Sequence, residues 1–287
     1  MRQVTRRFRR YLNPVLPILV VAVATIPEGR ALDQKIDARA TYLRTNQDPV
    51  PDALAIPLSS AGVSGGDCVH LERLGDFNNG PNGDTRLSMI AVFSRTATLL
   101  VSSELHRVVD ALDAGVDYVT SPTYYGALPT DIPEDFGASA PGGVDLLAPP
   151  GAAYLFAASN DQYYSDNSDP DNDYYIRILP ISPFEVSSAS SSMPLVFLDR
   201  LTLQWEDLSL TCADTFNVYR GDVRDLPSRQ YGACWRSGLT TNTAVDPDRP
   251  AGGTGWFYLV TARNAIGEGP LGKDSAGQAR VAASPCP

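Results

Sequence analysis

Histidine occurs only twice in this chain, at His70 and His106, so a metal centre or proton relay built on several imidazoles has nothing to be made from. Cysteine is scarce as well. Cys68, Cys212, Cys234 and Cys286 include no CxxC pair, which removes the zinc ribbon and the thioredoxin-type motif. Basic residues are in deficit: 23 Lys plus Arg stand against 33 Asp plus Glu, a formal net charge of -10. A surface of that sign repels phosphate backbones, so nucleic acid is not an expected partner. The N-terminal apolar run at residues 15–26 (VLPILVVAVATI) contains Pro17 and falls short of the ~20 residues of a membrane-spanning helix. No membrane span is expected.

What surrounds that run gives it a meaning. Arg2, Arg6, Arg7, Arg9 and Arg10 precede it without an acid, the order of basic head and short apolar core found in a secretory signal. Residues 1–31 are read as a signal peptide, with cleavage after Ala24 or Ala31, and residues 32–55 as a polar leader. The expected location is secreted, extracellular or at the cell surface. In an oxidising compartment the cysteines are expected to be bridged. Four of them allow three arrangements; the preferred pair is Cys234 with Cys286, leaving Cys68 and Cys212 as an inter-domain link or as buried thiols.

From residue 56 onward, short segments rich in Val, Ile, Tyr and Phe alternate with turns of Gly, Asn, Asp and Pro. Residues 68–74, 87–93, 151–158 and 173–179 have the length and bounds of strands. Residues 103–113 (SELHRVVDALD) put Leu105, Val108, Val109 and Leu112 on one side of a helix. Residues 182–194 (SPFEVSSASSSMP) are Ser-rich and read as a linker between two domains. Beyond it, residues 195–287 suggest an immunoglobulin-like sandwich of about seven short strands with Trp205 early. This module resembles fibronectin type III domains on LTLQW, FNVYRG and YLVTARNAIGEGPLG. The expected fold class is all-β, a jelly-roll-type β-sandwich over residues 56–181 followed by an immunoglobulin-like (fibronectin type III) β-sandwich.

The chemistry concentrates in residues 160–173 (NDQYYSDNSDPDND). Asp161, Asp166, Asp169, Asp171 and Asp173 stand there with Asn160, Asn167 and Asn172 and no Lys or Arg. Such a run repels itself unless solvent or a cation screens it. Calcium takes six to eight oxygens in irregular geometry and suits this set; a solvated acidic turn is the plain alternative. The spacing of Asp169, Asp171 and Asp173 resembles the start of an EF-hand, yet Tyr174 replaces the turn glycine and no closing glutamate follows. These three acids could hold a second ion.

The first domain resembles the bacterial galactophilic (PA-IL-like) calcium lectins. Gly66-Asp67, a strand, Gly75 and Asn79-Gly80-Pro81 are similar in spacing to that family's first strand and its turn, and the resemblance puts a calcium-binding carbonyl at Asn79. Asp161, Tyr164, Asp166 and Asn167, after the strand YLFAAS, are similar to the family's calcium loop. The resemblance implies Asp161, Asp166 and Asn167 as ligands, with a turn carbonyl from Tyr163 or Tyr164. It covers roughly residues 56–179 with gaps: the family's sugar-contacting His and Gln segment has no counterpart between Asp84 and Leu87, and residues 103–137 are an insertion. Calcium is thus better supported than galactose.

A partly open calcium site exchanges water for vicinal sugar hydroxyls. Asp161, Asp166, Asn167 and Tyr164 are the expected glycan contacts, with Tyr163, Tyr124 and Tyr125 as further flat faces or as packing. Asp131, Glu134 and Asp135 either face the site or belong to a solvated loop. Gly62-Val63-Ser64-Gly65-Gly66 fits G-x-S-x-G, but a strand-like segment follows it where a nucleophile elbow needs a helix, so a glycine turn is expected and not an enzyme. Paired acids for glycoside hydrolysis depend on a separation in space. The leading expectation is a secreted calcium-dependent glycan-binding protein. The alternative is an adhesive or structural protein in which calcium only locks the loop.

Overall fold

A computed structural model of the chain describes residues 31–45, 48–80, 83–116, 122–123, 128–129, 132–188, 191, 193–207 and 212–287. The expected signal peptide as far as Arg30, with Tyr124, Tyr125 and Asp131, lies outside the described residues. The first unit contains strands β1 (Leu32–Lys35), β2 (Ile56–Pro57), β3 (Cys68–Leu74), β4 (Phe77–Asn79), β5 (Asp84–Arg86), β6 (Ile90–Ser94), β7 (Ala111–Leu112), β8 (Pro122–Thr123), β9 (Leu128–Pro129), β10 (Phe136–Gly137), β11 (Val144–Leu147), β12 (Tyr154–Ala158), β13 (Asn167–Ser168) and β14 (Tyr175–Pro180). The second contains β15 (Val196–Phe197), β16 (Thr202–Gln204), β17 (Thr215–Asp222), β18 (Ala233–Leu239), β19 (Thr243–Val245) and β20 (Trp256–Arg263). The strands pair antiparallel, and the fold is all-β.

Two sheets, ordered β1-β14-β3-β11 and β10-β6-β12-β2, face each other in the first unit. Alternation along β14 sends Ile176 and Ile178 inward and Arg177 outward, the two-residue period of a half-buried strand. Their partners in the core are Val69 and Leu71 of β3 with Ala91, Phe93, Leu155 and Ala157 of the opposing sheet. β6 is buried along its whole length. Its second face, with Ile90 and Val92, is covered by Tyr42, Leu43, Ala53, Val108, Ile132 and Tyr164.

That covering layer corrects two sequence expectations. Residues 32–55 are not a leader: β1 pairs with β14 from Leu32 opposite Ile178 to Lys35 opposite Tyr175, and Ile36, Ala38, Tyr42 and Leu43 are buried. Their polar neighbours hid a few well-spaced apolar anchors. Residues 103–113 are not a helix. His106 (φ 50°) and Asp110 (φ 57°) adopt left-handed backbone, which interrupts a right-handed helix. Arg107 is drawn into the interior, donating from Nε to Leu100 O (3.0 Å) and from Nη1 to Leu43 O (2.7 Å) and Thr41 O (3.2 Å), with Nη2 on Asp52.

In the second unit the sheets β15-β16-β19 and β18-β17-β20 enclose Trp205, which is fully buried and meets Phe216 edge-on at 5.7 Å. The Ser-rich stretch is partly ordered against this core. Val186 joins it, Ser187 N donates to Glu206 Oε2 (2.9 Å), and Glu206 N donates to Ser187 Oγ (3.1 Å). Cys234 is bridged to Cys286, as expected, and Cys68 of β3 to Cys212 before β17. The second bridge ties the two units together beside a hydrogen bond from Asn264 Nδ2 to Ile181 O (3.0 Å). Among the described residues no helix is long and apolar enough to cross a membrane.

Candidate metal centre

A small third sheet, β13-β4-β5, gathers the acidic loop. Its register sets Asn167 opposite Asn79 and Ser168 opposite Asn78, while Asn78 also opposes Asp84. Two glycines make the close approaches possible. At Gly80 (φ 77°) a Cβ would stand 2.7 Å from Asp166 Oδ2; at Gly75 (φ 63°) it would meet Asp173 O and Oδ1 at 2.1 Å. Any side chain there would displace a carboxylate, and the left-handed backbone favours glycine independently.

Asp169, Asp171 and Asp173 converge, with one carboxylate oxygen from each within 4.8 Å of the others; among the described residues this is the one such group of three. Backbone N–H groups hold them: Asp169 Oδ1 accepts from Asp173 N within the loop (3.1 Å), and Asp173 Oδ1 accepts from Asp76 N in the turn between β3 and β4 (3.0 Å). Lys35 of β1 supplies the cation that the loop itself lacks, donating to Asp169 Oδ2 at 2.9 Å and to Asn172. Burial alone would raise the Asp169 carboxyl, but Lys35 and the N–H groups of Asp173 and Tyr174 outweigh it and hold it below the ordinary range. Asp84 and Asp171 go the other way. Desolvation raises both, and the surrounding carboxylates of Asp76, Asp169 and Asp173 add to it. The side-chain oxygens Oδ1 of Asp84 and Oδ1 of Asn78 are buried without a donor.

A second group lies at the start of the loop. Desolvation pushes the Asp161 carboxyl up and Asp166 adds repulsion, against the N–H groups of Gln162 (2.7 Å) and Tyr163 and the charge of Arg86. Asn167 is 2% exposed. Its Nδ2 donates to Ala38 O (3.0 Å) and Ser159 Oγ (3.3 Å), while its Oδ1 is buried without a donor. Tyr163 is half-buried beside it.

Tyr164 overturns its expected role as a sugar platform. It is fully buried in the layer beneath β6, its OH donating to Ser159 O (3.2 Å) and its N–H to Asp48 Oδ2 (2.7 Å). An aromatic ring packed on both faces has none to offer a pyranose. Asp135 is buried as well, so it does not extend an acidic surface. The residues missed by sequence reading are Lys35, Asp76, Asn78 and Asp84. The Gly, Asn and Asp density of residues 75–84 (GDFNNGPNGD) was a signal for the last three; none existed for Lys35, which arrives through strand pairing.

The G-x-S-x-G segment is a turn. Gly62 (φ 71°) ends a 3-10 turn, Ser64 N donates to Asp67 Oδ2 (2.7 Å), and a Cβ on Gly65 would strike Gly151 N at 2.5 Å. His70 on β3 shares a 2.6 Å hydrogen bond with Asp145 of β11. The two acidic groups are sets of oxygen ligands suited to a hard cation. Compared with protein-family models, curated proteins and solved structures, the chain matches none.

Proposed function

We propose that this is a secreted calcium-binding protein that recognises a glycan through its first β-sandwich. One observation carries the calcium part: carboxylates of Asp169, Asp171 and Asp173 lie within 4.8 Å of one another, with Lys35 paired to Asp169. Their mutual repulsion stores a preference that a divalent ion satisfies. This group, ranked second by sequence, is the better organised of the two.

The other site takes the Asn79 carbonyl, whose second lone pair suffices for an ion, with Asp161, Asp166, the Tyr163 carbonyl and Asn167 Oδ1. The donorless Asn167 oxygen supports it, since a buried acceptor left empty costs about 1–3 kcal/mol. The resemblance to galactophilic calcium lectins supplies the glycan. Of the expected glycan contacts, the buried Tyr164 drops out.

Calorimetric titration of the mature protein with calcium tests the reading, with Asp171→Asn and Asp161→Asn each expected to remove one set of sites. Absence of saturable heat at millimolar calcium would sink it. The burial of Tyr164 and Asn167 favours a second reading, an adhesive or structural protein in which calcium fastens the loop to the core. A chelator that lowers the melting temperature, with no glycan bound on a broad array, selects that one.

A further inference from the structure

A cleft of about 550 Å³ opens between residues 35–39, which leave β1, and residues 165–169, which carry β13. Its size is that of a ligand cleft, ~300–1,000 Å³. Asn167 joins the two walls through its hydrogen bond to Ala38 O. Beneath the mouth, Ile36 and Ala38 are buried and apolar. A second depression of about 190 Å³ shares Lys35, Ile36 and Asp37 and reaches Pro51 and Leu54, so the concave surface continues along this edge of the sandwich.

The charges on the lining cancel. Lys35 is held by Asp169 at 2.9 Å, and Arg39 and Asp37 stand in the same wall with one charge of each sign, the Arg39 backbone N–H donating to Asp37 Oδ1 at 3.0 Å. The remaining polar groups are the hydroxyls of Ser165 and Ser168 and the Asn167 amide. An anionic ligand would meet Asp37, Asp169 and a net charge of -10. A cationic one would meet Lys35 and Arg39. A neutral polyhydroxyl ligand finds donors in the Arg39 guanidinium and the serines and acceptors in Asp37 and the same hydroxyls.

We infer that this cleft, and not the calcium ion itself, holds the glycan, and that the ligand is a neutral oligosaccharide. The inference rests on the calcium-and-glycan reading above and gives calcium an indirect part. Asp169 belongs both to the convergent triad and to the cleft wall, and Asn167 both to the second ligand set and to the cleft. An ion in either place fixes the wall that the sugar touches, so binding depends on calcium without the ion touching a hydroxyl.

The test uses the mature full chain on an array of neutral, sialylated and sulfated glycans at millimolar calcium. The best binder is then titrated against wild type, Ser168→Trp, which fills the cleft from an exposed position, and the pair Arg39→Ala with Ser165→Ala. Calcium titration of each variant runs alongside. The expected result is a neutral glycan whose affinity falls about tenfold or more in both cleft variants while calcium affinity is unchanged. Unchanged glycan affinity in both would overturn the cleft and place the sugar on the ion, leaving the calcium-dependent glycan reading intact. A best binder that is sialylated or sulfated would overturn the neutral class. No glycan bound by wild type would remove this inference together with the glycan half of the proposed function.

Discussion

Arg107 brings a full guanidinium into the first unit, where its side chain is 1% exposed and three backbone carbonyls and Asp52 receive it. The planar fork spreads five donors over three nitrogens and so reaches acceptors too far apart for the three donors on the single nitrogen of an ammonium. Arg107→Met removes the guanidinium donors from the carbonyls of Leu43 and Leu100 and one of the two from Thr41 O, which keeps Ala53 N, and is expected to destabilise by ~3–5 kcal/mol, read from urea unfolding; Arg107→Lys recovers only part of that. Asp161 is a case of opposite sign. Its folded-state pKa is raised by desolvation and Asp166, so its contribution is intact below the unfolded value of ~3.9 and is lost as pH rises through the folded value. Without calcium, Asp161→Asn is expected to melt higher than wild type at pH 7, and the difference to vanish as the pH approaches ~4. With calcium the order reverses, because the ion needs the carboxylate. Melting curves across pH with and without chelator check both halves.

At the scale of elements, β1 does two things: it pairs along the edge of β14, and it presents Lys35 to the acidic loop. The Lys35 link depresses the Asp169 carboxyl after burial has raised it. Its stabilisation is therefore present above the unfolded carboxyl range and lost as pH falls through the depressed folded value. Lys35→Ala is expected to speed amide hydrogen exchange at Asp173 and Tyr174 in the absence of calcium, and saturating calcium to restore protection. Exchange unaffected by the substitution would mean that strand pairing alone holds the loop. The failed helix at residues 103–113 belongs to this scale too. Its apolar spacing suited a helix, but Val108 bridges to Leu99, and Ser94 Oγ (2.7 Å) and Thr96 Oγ1 (3.1 Å) both donate to Val109 O. Those long-range bonds outweigh a propensity difference of a few tenths of a kcal/mol per residue.

The whole molecule is two sandwiches fastened by the Cys68–Cys212 bridge across 144 residues, with Cys234–Cys286 closing 52 residues within the second. Loop-closure entropy assigns ~5 kcal/mol to a loop of the first length and ~4 kcal/mol to one of the second. Replacing Cys68 and Cys212 by serine is expected to lower the first melting transition and to separate the units into two calorimetric steps. A single unshifted transition in the serine variant would show that the noncovalent contact alone couples them.

The sequence by itself determined the all-β class, the strands around Cys68, Tyr154 and Trp256, and the concentration of acids in residues 160–173. Each is encoded locally, by two-residue alternation, turn residues or charge density. The tertiary structure alone decided that Asp169, Asp171 and Asp173 converge, that Lys35 answers them, and that Tyr164 is core. It also brought residues 32–45 into the sandwich. These depend on antiparallel pairing between segments more than a hundred residues apart, such as Lys35 with Tyr175, and on which side of β6 remained to be covered. A one-residue slip in such pairing exchanges buried and exposed faces, and local sequence carries no record of the partner strand.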